Sequence, residues 1–380
     1  MKSKSLYIEN AQNIESALKD ATQDGFKPTL AFVFMSVGPD TVKVVQPFDQ
    51  LGIRVFGSHS VGEFVEGHMG QGAIAVLLLD MDTTAFHFEH YELTAGGETE
   101  TARQFSEVAH QRFANPVFMM VSSHLETIAE DLLAGIDSVM GPQAAVFGAM
   151  AGMDVQTHEN AVFTNEGRMD RGVLVLMIDG DRIKVSGIAT CGWRAVGAEK
   201  TITKSDGMWV QEIDGMPALD AIIKYSGIAT KENLTEEIWI TEFGTSLPMQ
   251  LIRDQGATVM RPSLVYDLES SSFMCNGRVP QGSKVRMSLP PEDDVIDVVI
   301  DACRDMRDTI APEADAIVYF SCAGRLMSLG PMMKREIDSV QKLWDVPLAG
   351  LFSTGEIARA AGGGLELNNI TSCCVVLKEI

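Results

Sequence analysis

An eight-residue string that occurs twice constrains this chain more than any other feature. Gly57-Ser-His-Ser60-Val-Gly-Glu63-Phe64 and Gly350-Leu-Phe-Ser353-Thr-Gly-Glu356-Ile357 both read G-x-x-S-x-G-E followed by an apolar residue. Each comes after an apolar run (29–37, 316–321) and a helical stretch, and before another apolar run (73–79, 373–377). A weaker middle copy has runs at 116–122 and 172–178, a helix expected over 125–140, and Gly148-Ala-Met-Ala151-Gly-Met-Asp154 between them. There alanine replaces serine, the second glycine has slid by one, and the acid six residues after the first glycine is Asp154.

Short, continuously apolar strands belong to sheets covered on both faces, and a helix between two of them makes a crossover connection. The expected fold is therefore α/β, with repeated αβ units forming covered mixed sheets. Two units are expected in residues 1–204 and a third in 205–380, with a more antiparallel segment from about Glu237 to Leu289. A helix over 291–307, apolar at Val295, Val298, Val299 and Ala302, is expected to cover a sheet. A chain of 380 residues is long enough for two to three domains with well-formed cores.

A glycine-rich turn at a strand end lets the chain leave a sheet sharply and lets a ligand or another backbone approach closely. The plainer account of these turns is backbone punctuation, with the serine bonded locally and the acid paired with a neighbouring arginine. The sharper expectation uses the rule that ligands in such sheets bind where loops gather at strand ends. It places Ser60, Glu63, Asp154, Ser353 and Glu356 around one cleft, joined by Ser321, Cys322 and Arg325 from the run 316–325. The planar fork of Arg325 suits a carboxylate, and Glu63 and Glu356 suit an ammonium group, so the expected ligand is an amino acid or a small organic acid. Pairing of Arg325 with Glu356 is the competing arrangement.

Charge and motifs exclude several classes. Thirty basic against 52 acidic residues give a net charge of −22, which repels nucleic acid and anionic bilayers. The longest apolar run, 73–79, is far short of the roughly 20 residues a spanning helix needs, and no secretory signal opens the sequence. Six cysteines without a Cys-x-x-Cys pair fit reduced thiols in a cytoplasmic protein. No metal motif is present, since His87 and His90 lack a third ligand in view. The serine-hydrolase elbow G-x-S-x-G fails because Ser58 stands two residues before Ser60. An enzyme using Ser60 or Cys322 ranks third among the readings.

The two glycine turns, Trp193-Arg194 with Gly197, Phe320-Ser-Cys-Ala-Gly-Arg325 and their order resemble the landmarks of the FIST family over about residues 26–377, with an N-terminal part to about 204 and a C-terminal part from about 205. The resemblance implies a non-catalytic sensory module that binds a small molecule. It also implies signalling to a separate partner such as a histidine kinase. No cofactor is expected from the motifs. Some members of the family are haem-containing nitric oxide sensors, so haem is the rival implied by the resemblance, with His59, His68 and His124 as candidate ligands alongside Cys322.

Overall fold

The computed structural model describes residues 1–123, 129–154, 157–228, 230–359 and 362–380. The first unit runs β1 (Ser3–Ile8), α1 (Ile14–Thr22), β2 (Leu30–Ser36), α2 (Thr41–Gln50), β3 (Arg54–Ser60), the hairpin β4 (Glu63–Val65) and β5 (His68–Gly70), then β6 (Ile74–Leu79). The second has the same order: β7 (Phe86–Glu92), α3 (Glu98–Arg112), β8 (Pro116–Ser122), α4 (Ala129–Met140), β9 (Ala145–Met150), β10 (Val162–Thr164), β11 (Gly167–Met169) and β12 (Gly172–Asp179).

The third unit opens with β13 (Ile183–Thr190) and is then interrupted. The insert comprises β14 (Ala195–Asp206), β15 (Trp209–Ile213), β16 (Met216–Pro217), α5 (Ala218–Ser226), and α6 (Glu236–Ile238), which runs into a wider π-helical turn at Trp239–Ser246. It continues through β17 (Met249–Leu251), β18 (Val259–Arg261), β19 (Ser263–Asp267), β20 (Ser272–Cys275) and β21 (Lys284–Ser288). The unit resumes with α7 (Asp294–Thr309), β22 (Ala316–Cys322), α8 (Ala323–Leu329), α9 (Met333–Trp344), β23 (Leu348–Ser353), the hairpin β24 (Gly355–Arg359) and β25 (Leu365–Asn368), and β26 (Ser372–Glu379).

No unit completes its own sheet. The three six-stranded sheets have the orders β1-β6-β2-β3-β10-β11, β7-β12-β8-β9-β24-β25 and β13-β26-β22-β23-β4-β5. In each, a single parallel pair (β2 with β3, β8 with β9, β22 with β23) sits among antiparallel neighbours, and the last two strands are a hairpin from another unit. The first unit gives its hairpin to the third sheet, the second to the first, and the third to the second. The exchange closes into a ring.

That ring explains the continuous apolar strands. In β2, Leu30, Phe32 and Phe34 point into a central cluster shared by all three sheets, while Ala31, Val33 and Met35 point outward under α1 and α2. In β22, Ala316, Val318 and Phe320 are central, and Ile317 and Tyr319 lie under α7 and α9. Phe34 and Phe320 meet edge to face across two sheets at 6.2 Å between ring centroids. Both faces of every central strand are therefore dry, which removes the alternation a half-exposed strand would show.

The antiparallel segment begins earlier than expected, at Ala195 rather than near Glu237. It curls into an almost closed sheet, β18-β17-β21-β14-β15-β20-β19, whose two end strands are separated only by Pro262. The residue pair 204/205 falls within β14. The covering helix α7 buries Val295, Ile296, Val299, Ile300, Cys303 and Met306, whereas Val298 is exposed, so the stripe lies one step round from the expected face. Among the described residues no helix is long and apolar enough to cross a membrane.

Candidate functional site

The glycine turns are the corners where the chain passes from one sheet to the next, and the three corners interlock. Gly152 N donates to His59 O at 2.8 Å, Val61 N to Phe352 O at 2.9 Å, and Phe352 N to Gly62 O at 2.8 Å. Thr354 Oγ1 donates to Ala151 O at 3.0 Å. A Cβ on Gly152 would lie 2.2 Å from Val61 N, so the close backbone contact requires glycine there.

Serine and glutamate of each string form one buried unit. Ser60 Oγ donates to Glu63 Oε2 at 2.6 Å, Ser36 Oγ to the same oxygen at 2.8 Å, and Ala73 N to Oε1 at 2.6 Å. In the third corner, Ser353 Oγ donates to Glu356 Oε1 at 2.5 Å, Thr371 Oγ1 to Oε2 at 2.7 Å, and Thr371 N to Oε2 at 3.3 Å. Ala73 and Thr371 each stand just before the last strand of their unit, so the carboxyl ties corner to final strand. Both glutamates are fully buried. Burial pushes the Glu63 carboxyl upward and the Glu356 carboxyl up to about 8, against the pull of their hydrogen bonds.

Register corrects the place given to Asp154. Glu63 pairs with Leu351, Glu356 with Ala149, and the residue paired with Ser58 at the equivalent point of the first sheet is Val162. The middle corner thus replaces serine and glutamate by Ala151 and Val162, an apolar exchange of both partners that leaves nothing unpaired. Asp154 sits before that position in a loop, where its Oδ1 accepts from Thr157 N at 2.8 Å.

Arg325 is also buried, and its partner is Glu336 of α9 rather than Glu356. It donates further to Cys191 O at 2.6 Å and lies over the Trp193 ring at 5.2 Å. Glu336 accepts from Tyr319 Oη at 3.0 Å and Ser372 Oγ at 2.6 Å, and Ser372 Oγ stands 3.1 Å from Ser321 Oγ. Burial pushes the Cys322 thiol far above its ordinary range, and Ser60 is bonded to a carboxyl in the dry interior. Neither is open to a substrate as placed.

Two of the three candidate histidines lie in surroundings unlike a haem pocket. His59 is fully buried at the first corner, neither ring nitrogen has a partner among the described residues, and burial, aided by Arg168, holds it down to about 4. Its ring lies 6.1 Å from that of Phe163 in packed interior, and it lines none of three cavities: one of about 490 Å³ beside His68, one of about 500 Å³ in the insert beside Trp209, and one of about 690 Å³ beside α4. His68 stacks on Tyr7 at the edge of a cavity of about 490 Å³ that also presents Ser5, Glu9, Asn13 and Glu66, too polar and acidic for a porphyrin face. His124 lies outside the described residues.

The eight residues first grouped as a ligand site line none of these cavities either. The largest of the three, about 690 Å³, opens where α4, the tip of the β24–β25 hairpin and the insert meet. Four arginines of a strongly acidic chain surround it: Arg253, Arg261, Arg278 and Arg359. Arg253 forms an ion pair with Glu366, and Arg278 binds Asp131 bidentately at 2.6 and 2.8 Å. Arg261, buried, donates to Arg278 O, Met260 O and Leu367 O, with Glu130 at 3.4 Å. Arg359 donates to the main-chain oxygens of Pro142 and Ala144, and among the described residues it has no carboxylate within ion-pair reach. Asp137 and Gln143 stand on the α4 side, and Leu133 and Leu365 give the lining an apolar part.

Sequence reasoning passed over this cleft because its arginines come from four separate segments, with no shared spacing. The available signal was arginine beside glycine in turns, as in Gly277-Arg278 and in Arg359 ahead of Gly362-Gly-Gly364.

No curated protein matches the chain. A model of the FIST N domain matches residues 29–216 and one of the FIST C domain matches residues 218–359, so the match runs through the first two units, the insert and the third-unit corner. The chain belongs to the FIST family, whose domains serve in sensory signal transduction.

Proposed function

We propose that this sensory protein takes a small carboxylate-bearing ligand, an amino acid or organic acid, in the arginine-walled cleft and passes the event to a separate signalling protein such as a histidine kinase. The observation that carries the reading is Arg359: a guanidinium at the cleft whose hydrogen-bond partners are main-chain carbonyls, beside three arginines already matched by acids. A planar fork of this kind recognises carboxylate by two parallel hydrogen bonds. Asp137 of α4, in the same lining, suits an ammonium group, and Leu133 and Leu365 suit a short apolar side chain.

The test is a melting-temperature screen of L-amino acids and mono- and dicarboxylates, followed by titration calorimetry. A ligand at about one hundred times its dissociation constant stabilises the folded state by about 2.7 kcal/mol. Arg359→Gln is expected to remove the shift while leaving the unliganded melting point close to wild type. A ligand that binds Arg359→Gln as well as wild type would place recognition elsewhere.

A further inference from the structure

The cleft has walls from two differently anchored bodies. Arg253, Arg261 and Arg278 belong to the insert, whereas Arg359 and α4 belong to the three-sheet ring. The insert has its own apolar core, running from Ile202 to Val285 with Trp239 and Phe273 inside it, and Met260 packs instead with the third unit's helices. Its contacts with α4 are polar: Arg278 to Asp131, Arg261 to Glu130, and Arg278 N to Glu130 Oε1 at 2.7 Å. At the rim the two bodies touch main chain to main chain, since a Cβ on Gly256 would lie 2.6 Å from Gly363 Cα.

Ion pairs at partly exposed positions hold weakly because solvent screens them and long side chains lose freedom. The side chain of Arg278 is 41% exposed and its two terminal nitrogens are spent on Asp131, so the seam between insert and α4 lacks an apolar seal there. A ligand that reaches both sides adds its contacts only in the closed arrangement, and its binding energy then shifts the equilibrium toward closure.

Resting on the ligand reading above, we propose that a carboxylate ligand clamps the insert onto the ring, with one end on Arg359 and the other on Arg253, so that tightening of this seam is the output of the sensor. A partner would read the seated insert. A ligand carrying two anionic groups, such as a dicarboxylate or an acidic amino acid, fits this arrangement better than one carrying a single carboxylate.

Hydrogen exchange on the full chain tests the clamp, with succinate and L-glutamate as probes and acetate as the single-carboxylate comparison. Succinate or L-glutamate is expected to slow exchange about fivefold or more in peptides from both walls, 129–144 on the ring and 249–261 with 276–288 on the insert, leaving 30–36 unchanged. Acetate is expected to protect the ring wall at most. Asp131→Asn, which leaves Arg359 in place, is expected to speed exchange of the insert wall about threefold without ligand, and succinate is expected to restore it. Binding that protects only the ring wall, or an Asp131→Asn insert that exchanges as wild type does, overturns the clamp and leaves the ligand reading standing. Absence of binding by every carboxylate overturns both.

Discussion

Phe64, the residue after the first unit's glutamate, lies directly over Gly350, the first glycine of the third unit's corner: the two pair in register, and a Cβ on Gly350 would meet the Phe64 ring at 2.3 Å. The same relation joins Phe163 to Gly57, and Ile357 pairs in register with Gly148, where an added Cβ would meet the main chain of Met120. The apolar residue after each glutamate, or after Val162 in the middle unit, thus pairs in register with the glycine that opens the next corner round the ring. This explains why the string needs glycine first and an apolar residue last, with no ligand invoked.

Two glycine substitutions should separate side-chain from main-chain crowding. A Cβ on Gly57 would meet only the Phe163 ring among its three nearest neighbours, whereas one on Gly350 would also lie 2.2 Å from Tyr319 O. Each alanine is expected to cost about 2–3 kcal/mol, the scale of core overpacking. Adding Phe163→Leu to Gly57→Ala should recover part of the loss in urea unfolding, while adding Phe64→Leu to Gly350→Ala should not. Equal rescue of both would contradict the geometry.

Glu356 should make stability fall as pH rises. The folded protein holds its proton up to about 8, whereas an unfolded glutamate releases it near 4.5, so the unfolded state gains between those values. Glu356→Gln keeps the shape and removes the titration. It is expected to melt above wild type at pH 8.5 by roughly 2 kcal/mol of stability or more, and level with it near pH 5. Parallel pH profiles for the two proteins would show that this carboxyl ionises in the folded state as it does in the unfolded chain.

His59 acts in the opposite direction. It stays neutral in the fold to about 4, while an unfolded histidine protonates near 6.5, so stability is full above 6.5 and is lost as pH falls through this window. His59→Leu removes that proton uptake, and the loss of melting temperature between pH 6.5 and 4.5 should be visibly shallower. Identical acid limbs would mean that the ring finds a proton partner in the folded protein.

The Arg325–Glu336 pair is expected to be costly to break on one side. With both side chains fully buried, Glu336→Gln leaves a guanidinium without its counter-charge, at about 3–5 kcal/mol. Arg325→Met with Glu336→Leu should lose much less. Urea midpoints of the single and double variants decide between these outcomes.

Much of the fold was legible because burial on both faces leaves a strong mark. Strand β2 and strand β22 are apolar without interruption, since successive residues such as Phe32 and Val33 enter different cores. The exchange of hairpins was not legible, because β4 and β5 span only three residues each and nothing local names β23 as their partner. Asp154 misled through spacing: it keeps the six-residue offset, but residues between the corner and β10 place Val162 at the equivalent point. Arg325 found its acid on α9 because that helix crosses beneath β22, a relation set by packing. The serines and glutamates of the corners were expected around one ligand cleft, and in the structure each serine bonds the glutamate three residues on in its own buried corner.

The cyclic exchange has a consequence for how the chain emerges from the ribosome. When the first unit has been made, its sheet still lacks β10 and β11, and its own hairpin must wait for β23 of the third unit. Nascent β3 presents a bare edge only until β10 follows in the second unit, whereas β9 waits for β24 of the third, a condition that invites pairing with neighbouring chains and slows ordering of the second sheet. The second and third sheets are thus completed only by strands of the third unit, and a truncation that removes β23 to β26 should leave those two sheets open while the first keeps its six strands.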